Sequence, residues 1–387
     1  MSWESVSLMV LAGESSGDVH GGRLCRCLRE RAPGLRFFGM GGEEMVAAKV
    51  ELIHRITPAA VIGFWEAFKS LGRYRRIFRR LIGEMERRRP AAVILIDYPG
   101  FNLRFARAAH RRGIKVIYYI TPQVWAWGRG RIKSLRRYVD KPLVVFQFEK
   151  EFFRSHGLEA DFVGHPVLDG IKRDLTPEIS RRALGVRGEP VIGLLPGSRQ
   201  SEINRLLPLL LRSAAIIRRS HPGADFVLPL ASAELKPSVD AILAELQVPV
   251  QVVNGRSQEV LAASDLVIAA SGTVTLEAAF FLTPVIVVYK LSILSWLIAR
   301  ALIKIPYIGL INIILGRQAV PEFVQFRARP GLVAAAAEKF LSEGKERSEI
   351  KESLETARQS LGGPGATERA ARIILEAIAF GGPANQS

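Results

Sequence analysis

The sequence predicts an α/β protein of two doubly wound domains that face each other across a cleft. Short apolar runs, typical of strands buried on both faces of a parallel sheet, alternate with helical segments along most of the chain. This alternation stops at a polar stretch, residues 172–189, and then starts again. The 387 residues therefore contain two successive sets of β–α pairs, enough for two domains.

The first set of β–α pairs lies in the N-terminal half. Its apolar runs predict strands at 6–11, 37–42, 91–96, 115–120, 142–147 and 161–163. Its helical patterns predict a helix at 19–31 and another at 71–85, where apolar residues recur at steps of three and four.

The second set of β–α pairs follows the polar stretch. It predicts strands at 190–195, 226–230, 250–253, 266–270 and 285–289, and helices at 201–220, 236–247, 257–263 and 275–282. After a Gly-Gly-Pro-Gly break at 362–365, an amphipathic helix ends the pattern and is expected to return to the first domain. The predicted domains are residues 1–170, joined by helix 366–380, and residues 171–361.

Composition and cysteine usage argue against several classes of protein. The first residues contain no basic region followed by an apolar core, so we expect a cytoplasmic protein. Cys25 and Cys27 lie two apart in a helical pattern and are expected to stay reduced. The six histidines are scattered singly, so no metal site and no cofactor are predicted. Charged residues interrupt the apolar stretch 291–315, which is therefore not predicted to span a membrane.

The formal charge of +17 indicates an anionic partner. Arginines are concentrated between residues 73 and 137, a field that suits either nucleic acid or an anionic membrane surface. In the predicted helix 71–85 they alternate with apolar residues, and three aromatic residues lie just upstream at 62–68. This combination is typical of a helix at a membrane interface. A helix that packs its apolar side on the core and leaves its basic side in water explains the same pattern.

The turn after the buried run 266–270 is a candidate anion site. Ser271, Gly272 and Thr273 are small residues between a predicted strand and a predicted helix. Such a turn can aim backbone N–H groups and the positive end of a helix dipole at phosphates. Glu277, about one helical turn further on, can accept hydrogen bonds from sugar hydroxyl groups. An ordinary strand-to-helix connection without a ligand explains the same residues.

The turn after the run 190–195 adds a cation. Ser198 and Arg199 belong to a Pro-Gly-Ser-Arg turn that opens the predicted helix 201–220. A guanidinium at this place can bind a diphosphate, whose negative charge grows as it leaves a sugar. An arginine that merely lies on the surface is the alternative.

Two carboxylates follow predicted strands of the first domain. Asp97 ends the run 91–96, and Glu14 lies in the polar turn after the first strand. One carboxylate is sufficient as the base of an inverting displacement. Either residue can instead be a helix cap or a turn residue.

Seven tracts of this sequence resemble the lipid-A-disaccharide synthase family. They are Ala-Gly-Glu-Ser-Ser-Gly-Asp at 12–18, Ile-Asp-Tyr-Pro-Gly-Phe-Asn at 96–102, Tyr-Ile-Thr-Pro-Gln-Val-Trp-Ala-Trp at 119–127, Gly-His-Pro at 164–166, Leu-Leu-Pro-Gly-Ser-Arg at 194–199, Ala-Ser-Gly-Thr-Val-Thr-Leu-Glu at 270–277 and Asn-Ile-Ile-Leu-Gly-Arg at 312–317. The resemblance runs in the order of the family from about residue 6 to residue 326.

The resemblance implies the GT-B fold and an inverting, metal-independent glycosyltransferase. It implies the substrates UDP-2,3-diacylglucosamine and 2,3-diacylglucosamine 1-phosphate, which the family joins through a β-1,6 bond at the cytoplasmic face of the inner membrane. Because both substrates are anionic membrane lipids, the resemblance also accounts for the arginines. It is compatible with a homodimer.

The resemblance also assigns expected roles in the first domain. Asp97 is expected to take the proton from the 6-hydroxyl group of the acceptor, and Glu14 to orient the acceptor or the base. Tyr98 and Gly100 depart from the alanine and aspartate that are commoner in the family, which leaves Asp97 as the sole acid of its tract.

In the second domain, the resemblance implies that Arg199 holds the UDP phosphates, with the 271–273 turn beside it. Glu277 is expected to bind the uridine ribose. Asn312 resembles a further polar residue of the active site, with no role that the sequence predicts. No residue that reads the uracil base is identified.

Two other functions compete with this one. A GT-B-like UDP-sugar epimerase would act on a soluble sugar nucleotide and would not need the basic amphipathic helix. A nucleic-acid-binding protein would explain the charge, but the sequence contains no recognised nucleic-acid motif, so nucleic acid is not an expected partner.

Overall fold

A computed structural model describes residues 3–4, 6–56, 71–126, 129–293, 296–297, 306–342 and 344–379. The contacts divide these residues into two units: unit 1, which runs to Asp169 and resumes at Gly362, and unit 2, Gly170–Leu361. Each unit contains one sheet whose strands are all parallel. The prediction of two doubly wound parallel sheets is confirmed.

Strands and helices alternate along the described residues as far as residue 324, and three successive helices follow. In the first half of the chain they are β1 (Ser7–Ala12), α1 (Ser15–Arg31), β2 (Arg36–Gly41), α2 (Glu43–Ala47), β3 (Glu51–Arg55), α3 (Leu71–Arg88), β4 (Ala92–Ile96), α4 (Pro99–His110), β5 (Lys115–Tyr119), α5 (Ile132–Tyr138), β6 (Lys141–Val144), α6 (Gln147–Arg154) and β7 (Asp161–Phe162). In the second half they are α7 (Pro177–Leu184), β8 (Val191–Leu195), α8 (Gln200–Ser220), β9 (Asp225–Leu230), α9 (Lys236–Leu246), β10 (Gln251–Asn254), α10 (Ser257–Ala263), β11 (Leu266–Ala270), α11 (Val274–Phe280), β12 (Val285–Tyr289), α12 (Leu310–Leu315), β13 (Glu322–Val324), α13 (Pro330–Leu341), α14 (Lys345–Ser360) and α15 (Ala366–Ala379).

Both sheets reverse their strand order beside the first strand. The seven-stranded sheet of unit 1 has the order β3-β2-β1-β4-β5-β6-β7, and the six-stranded sheet of unit 2 has the order β10-β9-β8-β11-β12-β13. The order reverses between β1 and β4 and between β8 and β11. In open α/β sheets, ligands bind beyond the carboxyl ends of the strands at this reversal.

Alternate residues of the central strands supply the two faces of the unit 1 core. Ile94 and Ile96 pack with α1 and α15 on one face, whereas Val93 and Leu95 pack with α3 and α4 on the other. Every residue of β4 is fully buried, which is why its sequence is an unbroken apolar run.

Helix α15 packs against α1, so the chain returns to unit 1 at its end. Asp169 caps this helix: its Oδ1 accepts hydrogen bonds from the backbone N–H groups of Gly365 (2.7 Å) and Ala366 (3.0 Å), and its Oδ2 accepts one from Thr367 (2.7 Å). A carboxylate at a helix N-terminus satisfies donors that have no partner within the helix.

Two strands and eight of the described helices, α7 among them, were not located from the sequence. β3 is a partly exposed edge strand of mixed polarity, and β13 has only three residues, so neither produces an apolar run. α7 lies inside the polar stretch 172–189. Thr176 caps α7 by accepting a hydrogen bond from the Ile179 backbone N–H at 3.3 Å.

The apolar side of the basic helix α3 faces the core. Leu81 and Met85 are fully buried, and Tyr74, Ile77, Phe78 and Ile82 are partly buried against the same core cluster. The core-facing alternative thus accounts for this side of the helix. The aromatic stretch 62–68 and Trp127 lie outside the described residues. None of the helices within the described ranges combines the length and the apolar character that crossing a membrane requires.

Candidate functional site

The predicted site residues follow the strands at which each sheet reverses its order. In unit 1, Glu14 follows β1 and Asp97 follows β4, and these strands end together because Ala12 is paired with Ile96. In unit 2, Arg199 follows β8 and Ser271 follows β11, whose residue Ala269 is paired with Leu195. Each unit therefore brings its own candidate residues to one edge of its sheet.

Asp97 has an unusual backbone conformation. Asp97 and Tyr98 have φ angles of +44° and +49°, so two consecutive residues other than glycine are left-handed between β4 and α4. A left-handed conformation costs about 1–2 kcal/mol for an L-residue with a Cβ. Hydrogen bonds onto the backbone stabilise it here: the carbonyl oxygen of Asp97 accepts one from Asn102 Nδ2 and one from the Tyr118 hydroxyl, both at 2.7 Å.

Burial makes Asp97 a stronger base than an ordinary aspartate. Burial, and then the negative charge of Glu14, raise the pKa of Asp97 to about 6, while a hydrogen bond from the Tyr98 backbone N–H lowers it. A carboxylate with this pKa is mostly ionised near neutral pH and still accepts a proton more readily than one in water. Glu14 itself is exposed at the start of α1.

Tyr98 lies directly over Gly13. A Cβ atom at Gly13 would overlap the Tyr98 ring, so only glycine fits at this place in the turn after β1. Tyr98 also stacks on Phe101, with ring centroids 6.1 Å apart. Tyr98, which departs from the family pattern, therefore packs the turn after β4 against the turn after β1.

The loop after β5 depends on a buried carboxylate that the sequence analysis missed. Glu149 is fully buried; its Oε1 accepts a hydrogen bond from the Trp125 indole N–H at 2.9 Å, and its Oε2 accepts the backbone N–H groups of Val145 (3.1 Å) and Phe146 (3.0 Å). Burial raises the pKa of Glu149 to about 7, although the three hydrogen bonds favour the charged form and lower the pKa. In the sequence this residue looks like an ordinary acidic residue in the first turn of a helix.

His165 behaves as a structural residue. It is buried, its Nδ1 accepts a hydrogen bond from the Val167 backbone N–H at 3.2 Å, and it precedes the short turn Pro166–Gly170, at which the chain passes from unit 1 to unit 2. Burial, and then the neighbouring His20, lower the pKa of His165 to about 3, so the imidazole is neutral.

The turn after β8 is organised by Glu202. Its Oε2 accepts hydrogen bonds from the backbone N–H groups of Ser198 (3.0 Å) and Arg199 (3.1 Å), and its Oε1 pairs with Arg199 Nη1 at 3.3 Å. Gly197, at φ +109°, leaves the space that this carboxylate occupies. The Arg199 side chain is 55% exposed, so its guanidinium is held by one acid and still reaches solvent.

The turn after β11 has a fixed backbone and an open surface. The Ser271 hydroxyl donates to the carbonyl oxygen of Ile308 at 2.8 Å, and the Thr275 hydroxyl donates to that of Gly272 at 2.8 Å. A Cβ atom at Gly272 would meet nothing within 4 Å, and Thr273 is exposed. Glu277 is half-buried in the first turn of α11.

Asn312 has a different environment from the one expected of a substrate-binding residue. It is fully buried; its Nδ2 donates to Val320 O (2.8 Å) and Glu322 Oε1 (2.6 Å), and its Oδ1 accepts from the backbone N–H groups of Ala319 (2.7 Å) and Val320 (2.8 Å). An amide side chain has two donor hydrogens and two acceptor lone pairs, so all four are used within the protein. Asn312 has no group left for a substrate.

Comparison with known proteins identifies the relatives of this chain. Residues 8–377 match the family model described as lipid-A-disaccharide synthetase. The lipid-A-disaccharide synthase of Syntrophus aciditrophicus is 40% identical over 373 residues, which cover 96% of this chain and 97% of that protein.

Two solved structures share the fold at low sequence identity. The calicheamicin glycosyltransferase CalG4 has a TM-score of 0.62 at 14% identity and covers 98% of this chain and 99% of its own. The UDP-GlcNAc 2-epimerase of Neisseria meningitidis bound to UDP-GlcNAc has a TM-score of 0.59 at 12% identity and covers 97% and 100%. These likenesses show the GT-B fold alone.

The environment of Asp97 predicts a stability change that depends on pH. Because the folded pKa of about 6 lies above the ordinary 3.8, the folded state binds more protons between these values, and the free energy of unfolding falls as pH rises through this window. At pH 8 the Asp97→Asn substitution is expected to raise the free energy of unfolding by about 1–3 kcal/mol, on the scale of 1.4 kcal/mol per pKa unit, and at pH 4 by much less. Urea unfolding at both pH values measures this difference.

The exposed residue Asp174 supplies the control for this experiment. Asp174→Asn is expected to change the free energy of unfolding by less than about 0.5 kcal/mol at both pH values. If Asp97→Asn instead lowers the free energy of unfolding by the same amount at pH 4 and pH 8, burial of the ionised Asp97 carboxylate does not destabilise the folded state.

Proposed function

The chain belongs to the lipid-A-disaccharide synthase family, and from this premise we propose how its residues divide the reaction. It is a hexosyltransferase of the GT-B fold that condenses UDP-2,3-diacylglucosamine with 2,3-diacylglucosamine 1-phosphate, forming lipid A disaccharide 1-phosphate and UDP. The observation that carries our assignment of the residues is the half-buried, left-handed Asp97 with a pKa of about 6, at the point where the unit 1 sheet reverses its order.

We assign Asp97 as the general base. As the acceptor 6-hydroxyl oxygen forms a bond with the anomeric carbon of the donor, the hydroxyl proton moves to the Asp97 carboxylate. The bond between that carbon and the UDP oxygen breaks on the opposite face, so the configuration inverts and UDP leaves with the electron pair. A base with a pKa near the working pH is best suited to this proton transfer. Glu14, whose charge acts on Asp97, helps keep its proton affinity high.

We assign the diphosphate of the donor to unit 2. The Arg199 guanidinium, which remains accessible beside Glu202, offsets the negative charge that grows on the leaving UDP. Ser198, whose backbone N–H is taken by Glu202, offers its exposed hydroxyl group. In the open turn that begins at Ser271, Gly272 and Thr273 supply backbone N–H groups beside it. Glu277 accepts hydrogen bonds from the ribose hydroxyl groups.

We further propose that the groove between α3 and α4 faces an anionic lipid surface at the inner face of the membrane. Its lining combines Tyr74 and Phe78 with Arg75, Arg79 and Arg104, around a volume of about 250 Å³. The three arginines are exposed, and none of them forms an ion pair with another described residue. Half-buried rings beside these exposed cations suit the junction between acyl chains and phosphates.

Family membership favours the transferase over the two competing functions. The solved UDP-GlcNAc 2-epimerase shares the fold but only 12% of its sequence with this chain. The relatives named lipid-A-disaccharide synthase reach 40% sequence identity over nearly the whole chain. A nucleic-acid-binding function would rest on charge alone.

The proposed reaction predicts the product and the effect of removing the base. Wild-type protein is expected to convert UDP-diacylglucosamine and diacylglucosamine 1-phosphate into the disaccharide 1-phosphate and UDP, as detected by mass spectrometry. Asp97→Asn is expected to lower turnover by at least about 100-fold because the base is lost; this factor is the lower end of the range that general base catalysis typically contributes. Its affinity for UDP, measured by calorimetry, should stay within about twofold. Normal turnover by this variant would remove Asp97 as the base.

A further prediction concerns the diphosphate site. Arg199→Ala is expected to weaken UDP binding by roughly 1.5–3 kcal/mol, the scale of a hydrogen bond to a charged group. Arg212→Ala is the matched control, since this exposed arginine lies on the same helix 13 residues further on, about 20 Å along its axis. Equal UDP affinities for the two variants would rule out Arg199 as a phosphate ligand.

Another prediction concerns the lipid surface. Replacing Arg75, Arg79 and Arg104 by serine is expected to reduce co-sedimentation with vesicles that contain anionic lipid, by about 1 kcal/mol per arginine. The control removes the same charge from unit 2, through Arg205, Arg212 and Arg219, all exposed on α8. If the two triple variants bind vesicles equally, α3 and α4 do not form the membrane-facing surface.

A further inference from the structure

We propose that Tyr118 and Asn102 are positioning residues for Asp97, which hold its backbone so that its carboxylate meets the acceptor hydroxyl. This inference rests on the proposed role of Asp97 as the general base. Neither residue is expected to touch a substrate. Their effect is exerted through the carbonyl groups on either side of the Asp97 Cα atom.

The hydrogen bonds converge on two successive carbonyl groups. Asn102 Nδ2 donates to Ile96 O at 3.1 Å and to Asp97 O at 2.7 Å, and the Tyr118 hydroxyl donates to Asp97 O at 2.7 Å. The peptide groups before and after the Asp97 Cα atom are thereby fixed, and with them the direction of the Cα–Cβ bond. Asn102 and Tyr118 are both fully buried, so neither donor is exposed to water.

The strand-to-helix connection requires such a constraint. Asp97 and Tyr98 are both left-handed, a conformation that an unrestrained pair of non-glycine residues would leave for the β or right-handed region. Either change would rotate the Asp97 side chain away from its present direction. A base that is misplaced by about 1 Å can lose a factor of about 100 in rate.

Tyr118 reaches Asp97 from the neighbouring strand. β5 pairs with β4, so that Leu95 is opposite Tyr118 and Ile96 is opposite Tyr119. Successive side chains of a strand point to opposite faces, and the two tyrosines accordingly belong to the core clusters on opposite faces of the sheet. Burial, and then the charge of Asp97, raise the pKa of Tyr118 well above its ordinary value, so its hydroxyl remains a donor over the working pH range.

Tyr119 provides a closely matched control. It is fully buried, adjacent in sequence and on the same strand, but its hydroxyl lies on the opposite face of the sheet, towards Thr367 and away from Asp97. Tyr118→Phe and Tyr119→Phe therefore remove the same atom from the same strand, and only the first removes a contact with Asp97.

The experiment compares these two variants of the full chain in the disaccharide assay. Tyr118→Phe is expected to lower kcat by about 10- to 100-fold, with KM for the acceptor and Kd for UDP changed less than about twofold. Tyr119→Phe is expected to keep kcat within about twofold of wild type. Melting temperatures establish that both variants are folded at the assay temperature. A purely structural role of the Tyr118 hydroxyl would change the melting temperature without this split between kcat and KM.

Combining each variant with Asp97→Asn separates positioning from other effects. If Tyr118 acts through Asp97, adding Tyr118→Phe to Asp97→Asn is expected to change the residual rate by less than about twofold. Equal kcat values for Tyr118→Phe and Tyr119→Phe would overturn the inference, and so would a full additional loss in the Asp97→Asn background.

Asn102→Asp tests the second positioning residue, because it keeps the shape of the side chain and removes the amide donors. This variant is expected to lower kcat at least as much as Tyr118→Phe. If its kcat equals that of the wild-type protein, Asn102 is not a positioning residue. Failure of the proposed function is distinguishable from these outcomes: wild-type protein would then form no disaccharide, or Asp97→Asn would retain normal turnover.

Discussion

The reversal of strand order in each parallel sheet is the constraint on which the rest of the structure depends. The helix that follows β1 covers one face of the unit 1 sheet, and the helix that follows β4 covers the other. The turns after these two adjacent strands therefore diverge at the carboxyl edge of the sheet. Asp97 occupies one of these turns, and Gly13 with Glu14 occupies the other. Because every strand is parallel, polar residues of several strands collect at the same edge while the strands themselves remain apolar. Chemistry is thus confined to turns whose ends the sheet holds at fixed positions.

Burial has opposite effects on stability and on reactivity at this edge. It raises the pKa of Asp97 and thereby improves it as a base, but the same desolvation makes its ionised form destabilising in the folded state. The left-handed backbone adds a second cost, which hydrogen bonds from Asn102 and Tyr118 offset. Glu149 has the same character one loop further along: its buried carboxylate is unfavourable by itself and is held by three N–H donors, one of them from Trp125. Both acids depend on donors that the surrounding fold has already fixed.

The sequence predicts those parts of the structure that depend on patterns of hydrophobicity. The buried run 266–270 and the run 285–289 match β11 and β12 residue for residue, because strands covered on both faces contain only apolar residues. β3 was missed because it is a partly exposed edge strand and its sequence is not a continuous apolar run. α7 was missed because it lies in a polar stretch, where the cap residue Thr176 is its main sequence signal. Polar contacts were beyond prediction for another reason. Whether Tyr118 or Tyr119 reaches Asp97 depends on which face of β5 each occupies, which neighbouring elements decide and the local sequence does not.

The surroundings of Asn312 illustrate how a residue in a family motif can affect a site that it does not touch. Its amide donates to Glu322, whose carboxylate accepts the backbone N–H groups of Ile308 and Gly309, both at 2.9 Å. The carbonyl group of Ile308 in turn accepts the hydroxyl of Ser271, in the turn proposed to hold the diphosphate. Asn312 is therefore connected to that turn by a chain of hydrogen bonds through the backbone at Ile308. Its removal would leave the Glu322 carboxylate with one donor fewer and would loosen the backbone that Ser271 binds, so an effect on activity would come from the position of the turn and not from a lost substrate contact.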